Sequence, residues 1–302
     1  MQVIIYQTNA FTDVPFGGKS VAIIPDATGL SEQDVKDIIR VLKLERTVFV
    51  YRLSEDKFKL RFFRDTHERK FCGSSIISAF YTLAEKGYID NTDNGVITVY
   101  AETQIEITPI DIYFEDWEVK RVEMTKGSPT LLQVIKNIEI IADMIGIEPD
   151  RIGIEGYDVY PELVYTGTQD IIIPVKTSED LRSVNVDIAK AKEVIRRLNL
   201  NLAEYPKINL FYFNEDLMIE SRQFEIQEFR IVEKSCSGTE NAGMVFFLRR
   251  NDIVSVKKCI CFKGCYDVRP STVFCEILDL NIDCPIKVGG MGNIFYEGVL
   301  TL

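Results

Sequence analysis

The sequence has one histidine and one tryptophan, and none of its seven cysteines form a CxxC pair. Structural zinc sites draw on paired CxxC hooks or clustered histidines, so the sequence assigns no metal centre. Cys259, Cys261 and Cys265 do form a CxCxxxC cluster, with Cys275 and Cys284 beyond it. Cys259 and Cys261 alternate with Ile260 and Phe262 as in a strand, where cysteine acts as a small apolar residue. No apolar run approaches the ~18–20 residues that span a bilayer, so no membrane role is expected. The opening Met1-Gln2-Val3-Ile4-Ile5-Tyr6 lacks the basic flank and apolar core of a secretory signal, and an odd number of cysteines reads as free thiols. The expected address is the cytoplasm. Basic residues are also in deficit, at 35 Lys and Arg against 46 Asp and Glu, a formal net charge of -11. Nucleic-acid binding needs a cationic surface that releases counterions, and none is expected here. Pro/Gly/Ser linkers and low-complexity stretches are missing as well.

What remains is a globular chain of 302 residues, 46% apolar and 27% charged. That length is comfortable for two domains. Gln2–Tyr6 and Val21–Pro25 read as strands. Ser31 caps a helix whose Val35, Ile38, Ile39 and Leu42 share one face. Thr47–Leu53 and Lys57–Phe63 alternate like paired strands. From about Ser74 to Lys86, Ile76, Ile77, Phe80, Tyr81, Leu83 and Ala84 cover most of a helix, which marks it as buried on nearly all sides.

The same order returns later. A helix over Asp187–Leu198 precedes strand-like runs at 208–213, 217–224 and 228–232. A second buried helix then runs over about Thr239–Leu248. Small-residue stretches introduce both buried helices, Phe71-Cys72-Gly73-Ser74-Ser75 and Cys236-Ser237-Gly238-Thr239. The expectation is an α+β chain of two similar domains, each with strands wrapped around a central helix. The boundary is set near Glu115–Val119, giving domains 1–118 and 119–287, with a C-terminal strand over about 288–302 returning to the first.

A helix N-terminus presents unpaired N–H groups and roughly half a positive charge, so it holds carboxylates. Two such ends facing one another would bracket a cleft for a small carboxylate-bearing substrate. The same stretches also read as ordinary caps on two core helices.

At this point the motifs resemble a known family. Phe11-Thr12-Asp13-Val14-Pro15-Phe16-Gly17-Gly18 is similar to the AFTxxPFGGNPA signature of the PhzF-like phenazine-biosynthesis family. Phe71-Cys72-Gly73 is similar to its FCGH turn, and Arg61-Phe62-Phe63 with Glu68 to its RxFTPxxE. Glu233 to Thr239 resembles EDPATGS, Arg269-Pro270-Ser271 resembles GRPS, and Val288-Gly289-Gly290 with Gly298 and Leu300 resembles the terminal VGG…G.L. The resemblance implies the diaminopimelate-epimerase-like fold: two pseudo-symmetric domains, each a mixed sheet curled around a central helix. It also implies cofactor-independent proton transfer by an isomerase or epimerase in an interdomain cleft, and a homodimer.

Carried over residue by residue, the resemblance makes Glu45 the catalytic acid/base, its pKa raised by a closed apolar setting. Gly18, Lys19, Cys72, Gly73, Ser74, Lys234, Ser237, Gly238 and Thr239 become substrate-binding positions. Related epimerases use one thiol from each domain. Cys72 stands at the first thiol position, and the second falls at Ser235 or Cys236. Four departures stand out: Ser74 replaces the family's histidine, Lys234 its aspartate, Lys19-Ser20 its Asn-Pro and Thr239 its serine. A hydroxyl cannot relay protons near neutral pH as imidazole does. Three functions therefore stay open: an acid/base isomerase, a catalytically silent binder of a small acidic metabolite, and a thiol-based enzyme working through Cys72.

Overall fold

The computed structural model describes residues 1–200, 207–214, 216, 218–227, 229–254, 259–264, 269–279 and 285–302, with backbone alone at 259–263. The chain divides into two compact units, Met1–Thr125 with Gly289–Leu302, and Lys126–Val288.

Unit 1 opens with β1 (Gln2–Ala10) and β2 (Lys19–Ile24), an antiparallel pair. Helix α1 (Glu32–Leu42) then crosses to β3 (Arg46–Arg52), parallel to β2. Ser31 and Asp34 form a capping box at its start. Its Val35, Ile38 and Ile39 pack with Val3, Ile5, Ala22, Ile24 and Phe49. β4 (Lys57–Arg64) turns back along β3 and carries the short β5 (His67–Arg69). Next come α2 (Gly73–Glu85), β6 (Gly95–Glu102), β7 (Ile107–Glu115) and β8 (Glu118–Lys126). β6 lies parallel to β4, and β6, β7 and β8 form an antiparallel meander.

Helix α2 packs on β1, β2, β3 and β7, strands from distant parts of one mixed sheet. Ten of its thirteen residues are buried, which is why its apolar positions run around the whole circumference.

Unit 2 runs through β9 (Thr130–Val134), α3 (Ile138–Ile145), β10 (Glu162–Tyr165), β11 (Gln169–Pro174), α4 (Ser178–Ser183) and α5 (Ile188–Arg197). It continues with β12 (Lys207–Phe213), β13 (Met218–Ile226), β14 (Ile231–Lys234), α6 (Gly238–Arg250), β15 (Cys259–Gly264), β16 (Ser271–Ile277) and β17 (Ile286–Gly290), whose last residues cross the join. The chain closes in unit 1 with β18 (Gly292–Thr301), antiparallel to β1.

The pairing pattern of unit 1 recurs strand for strand. β10 and β11 are antiparallel, β11 and β12 parallel, β12 and β13 antiparallel, β13 and β14 antiparallel, β13 and β15 parallel, β15 and β16 antiparallel. α6 packs on β10, β11, β12 and β16 as α2 does on their counterparts.

Two elements differ from the sequence expectation. Glu115–Val119 is the hairpin between β7 and β8, with Asp116 and Trp117 at φ 52° and 66°, and unit 1 runs on to Thr125. A tight turn with acidic residues resembles a linker in composition alone. Trp117 is 59% exposed at that turn, where its backbone N–H donates to the Asp93 carbonyl at 3.0 Å. The strand expected over 228–232 lies at Ile231–Lys234. Cys265 and Cys284 lie outside the described residues.

Candidate active site

The four surface helices α1, α3, α4 and α5 are each capped by the side chain of their N-cap residue, Ser31, Asn137, Thr177 and Asp187. The two central helices are not. Cys72 and Ser237 hold the N-cap positions of α2 and α6, and neither side chain closes a capping hydrogen bond. First-turn N–H groups without such a cap are the anion-binding groups of a helix end.

In unit 1 the start of α2 carries a tuned thiol. Ser75 Oγ donates to Cys72 Sγ at 3.1 Å, and Ser74 Oγ stands 3.6 Å away. Burial works against ionisation of this half-buried thiol. The Arg46 guanidinium and the two serine hydroxyls outweigh burial and hold Cys72 below the ordinary cysteine value. Arg46 is the first residue of β3, and its guanidinium also pairs with Glu45 at 2.8 Å. One arginine thus links the expected acid/base to the thiol. Gly73 is the first residue of α2; a Cβ there would come within 2.7 Å of Met124 Cε. Ser74 is buried beside it.

Glu45 departs from its expected surroundings. Its side chain is 49% exposed and ion-paired, where a buried, apolar setting was expected. The helix-to-strand junction that positions it opens to solvent, and its neighbour Arg46 supplies a counter-charge. Gly18 and Lys19 lie at the β1–β2 connection, Lys19 opposite Ala10. Gly18 adopts φ +56°, and a Cβ there would stand 1.9 Å from the Ala10 carbonyl oxygen, so no other residue fits.

In unit 2, Lys234 ends β14 opposite Gln223, half-buried. Ser237, Gly238 and Thr239 form the cap and first turn of α6. Helix register aligns Cys72-Gly73-Ser74 with Ser237-Gly238-Thr239. The residue matching Cys72 is therefore a serine, and neither Ser235 nor Cys236 holds that position. Cys236 is buried, its Sγ 3.2 Å from Ser221 Oγ and its N–H bonded to Ser271 Oγ at 3.0 Å.

Two further features were not anticipated. Beneath α6, Lys207 Nζ meets Glu240 Oε1 at 2.5 Å, beside Asp170, which accepts from Thr166 and Thr168. Asp170 and Glu240 are buried. Burial pushes Asp170 up to about 6, with Glu240 adding to the rise and Lys207 opposing it. Second, each unit holds an Arg–Glu fork. Arg61 binds Glu68 through two hydrogen bonds and lies 5.4 Å from the Phe63 ring centre. Arg222 binds Glu233 the same way and lies 4.9 Å from Phe224. The repeated Arg-x-Phe spacing was the signal that could have revealed the second fork.

The model of the phenazine biosynthesis-like protein family matches residues 8–298. An uncharacterized isomerase of Clostridium acetobutylicum is 24% identical over 309 residues, covering 99% of this chain and 98% of that protein. Among solved structures, a PhzF-family phenazine biosynthesis protein of Bacillus anthracis superposes with a TM-score of 0.81 at 19% identity, covering 100% of both chains. A probable proline racemase of Agrobacterium radiobacter reaches 0.62 at 12% identity, covering 99% of this chain and 92% of that one. The two wrapped helices are therefore those of the diaminopimelate-epimerase-like fold. With a match running nearly end to end, this chain belongs to the phenazine biosynthesis-like family, and the curated relative it matches along its whole length is named an isomerase.

Proposed function

We propose that the protein is a cofactor-independent isomerase or epimerase that moves a proton on a small carboxylate-bearing substrate. One observation carries this reading. Arg46 lies within electrostatic reach of the Cys72 thiol and pairs with Glu45, beside a helix end that no side chain caps. The first N–H groups of α2, at Gly73 and Ser74, suit the substrate carboxylate and the negative charge that builds on it as a neighbouring carbon loses its proton. Glu45 takes that proton and returns it to a different carbon on the same face; epimerisation would need a second acid on the opposite face. Arg46 orients the Glu45 carboxylate and supplies its counter-charge.

The depressed Cys72 thiol favours a second reading, in which the thiolate is the base and Glu45 only pairs with and orients Arg46. Incubating candidate amino and hydroxy acids in deuterated water separates the two. Under the first reading the wild type exchanges a carbon-bound proton, and Glu45→Gln slows exchange by about 10²–10⁴-fold. Exchange that survives Glu45→Gln but is lost in Cys72→Ser moves the base to the thiol. A ligand that raises the melting temperature yet never exchanges identifies a silent binder and defeats both.

A further inference from the structure

The sheet faces beneath α2 and α6 use matching register positions but opposite chemistry. Beneath α2, Val48 stands opposite Phe62, both fully buried. The matching pair beneath α6 is Asn209 and Gln223, 0% and 3% exposed. The Arg–Glu forks fix the correspondence. Phe62 follows Arg61 and stands opposite Arg69; Gln223 follows Arg222 and stands opposite Lys234.

Both amides face α6. Two residues beyond Asn209 on the same strand face, Phe211 meets Phe247 of α6 with ring centres 5.6 Å apart. Two residues before Gln223, Ser221 meets the Cys236 thiol just ahead of that helix. Neither amide finds a partner among the described residues: Asn209 Oδ1 and Nδ2 and Gln223 Oε1 and Nε2 are all buried without a hydrogen bond. Asn241, in the first turn of α6, gives its Nδ2 to the Ser237 carbonyl at 2.8 Å, and its Oδ1 is also buried and unpartnered.

Each such atom costs folding free energy, and the fold does not require them, since unit 1 fills the same pair with Val48 and Phe62. We propose that Asn209, Gln223 and Asn241 line a ligand subsite at the start of α6 that takes an uncharged carboxamide. The subsite offers three acceptors and two donors with no charge among them. A carboxamide brings two N–H donors and one carbonyl, matching both kinds. An ammonium or carboxylate would lose its hydration there for contacts with neutral amides, because the nearby Lys207 and Glu240 charges are already paired with each other. Lys234, next along the register row and half-buried, meets a carboxylate on the same ligand. The class is a small acid that also carries a carboxamide. This rests on the small-carboxylate reading above and narrows it.

The test uses the full chain, two near-isosteric variants, Asn209→Leu and Gln223→Met, and a ligand series of D- and L-asparagine and glutamine against aspartate and glutamate. Melting temperature and calorimetric titration are the readouts. The variants are expected to melt at or above the wild-type temperature, because the amides burden the empty fold. The wild type is expected to bind a carboxamide about tenfold more tightly than the matching acid, and both variants lose that preference. A fall of several degrees in both variants makes the amides structural and overturns the proposal. So does a wild type that no member shifts, or that amide and acid shift alike, which leaves ordered water as the occupant. Proton exchange is read at Glu45 and Cys72, so carboxamide binding without exchange overturns the catalytic reading alone.

Discussion

Arg46 opens β3 beside the start of α2, and Lys207 opens β12 beside the start of α6. The register makes them counterparts, and each unit uses its cation differently. In unit 1 the guanidinium faces a thiol and a half-exposed carboxylate, so its field falls on groups a ligand can reach. In unit 2 the ammonium is enclosed by carboxylates. Burial alone would favour loss of its proton, but Glu240, Asp170 and Glu225 hold Lys207 well above the ordinary lysine value. A duplicated frame has kept the position of a charge while one copy points it at chemistry and the other at cohesion.

Breaking the enclosed cluster gives the largest expected effect. Lys207→Met leaves Glu240 and Asp170 buried without their cation and is expected to cost about 3–5 kcal/mol in urea unfolding. Adding Glu240→Gln recovers much of that loss. The counterpart Arg46→Met costs about 0–1 kcal/mol, because Glu45 is solvated. Equal losses from the two single variants would erase the contrast.

The forks come next. Arg222 reaches Glu233 and also the Leu181, Arg182 and Val184 carbonyls, all within 3.2 Å. Arg61 instead spans Glu68 and the exposed Glu32. Arg222→Ala is expected to lose about 2–4 kcal/mol and Arg61→Ala about 1–2 kcal/mol, measured by the same unfolding.

A smaller, pH-dependent difference follows from Asp170, raised to about 6 in the folded chain. A carboxyl whose folded pKa exceeds its unfolded value binds its proton more tightly when folded. Its contribution to stability is complete below the unfolded pKa and is lost as pH rises through the folded one. Asp170→Asn escapes that loss, so its stability relative to wild type is expected to climb by about 1–3 kcal/mol between about pH 4 and about pH 7. A flat difference across that window removes the assignment.

The mildest test is kinetic. Iodoacetamide labelling of Cys72, followed by peptide mass spectrometry at neutral pH, is expected to slow about tenfold in Arg46→Gln. Buried Cys236 and Cys275 stay unlabelled in the folded chain.

Local pattern made the two central helices legible. Phe80 and Leu83 in one, and Val245 and Phe247 in the other, sit within all-round apolar runs, and the expected starts at Ser74 and Thr239 lie one residue from those observed. Helix termini frame such motifs, so the candidate residues around Cys72 and Ser237 could be named in advance. Glu45 could be named but not its setting, because Arg46 and Cys72 are 26 positions apart and meet only through the sheet. The amide pair was invisible for the same reason. Asn209 sits inside an apolar run and Gln223 among charged and polar residues, and only cross-strand register makes them neighbours. The cluster of Asp170, Lys207 and Glu240 likewise joins three distant segments.

The antiparallel pairing of β1 with β18 has a consequence for biosynthesis. Unit 2 is one unbroken stretch, Lys126–Val288, and all of it is translated before β18. β1 must therefore wait for β18, with one edge unpaired and Val3 and Ile5 at risk of wrong partners. Released chains truncated before Gly289 should already protect Lys126–Val288 from protease while Met1–Thr125 remains cleavable, so the inserted unit matures ahead of the one that encloses it in sequence.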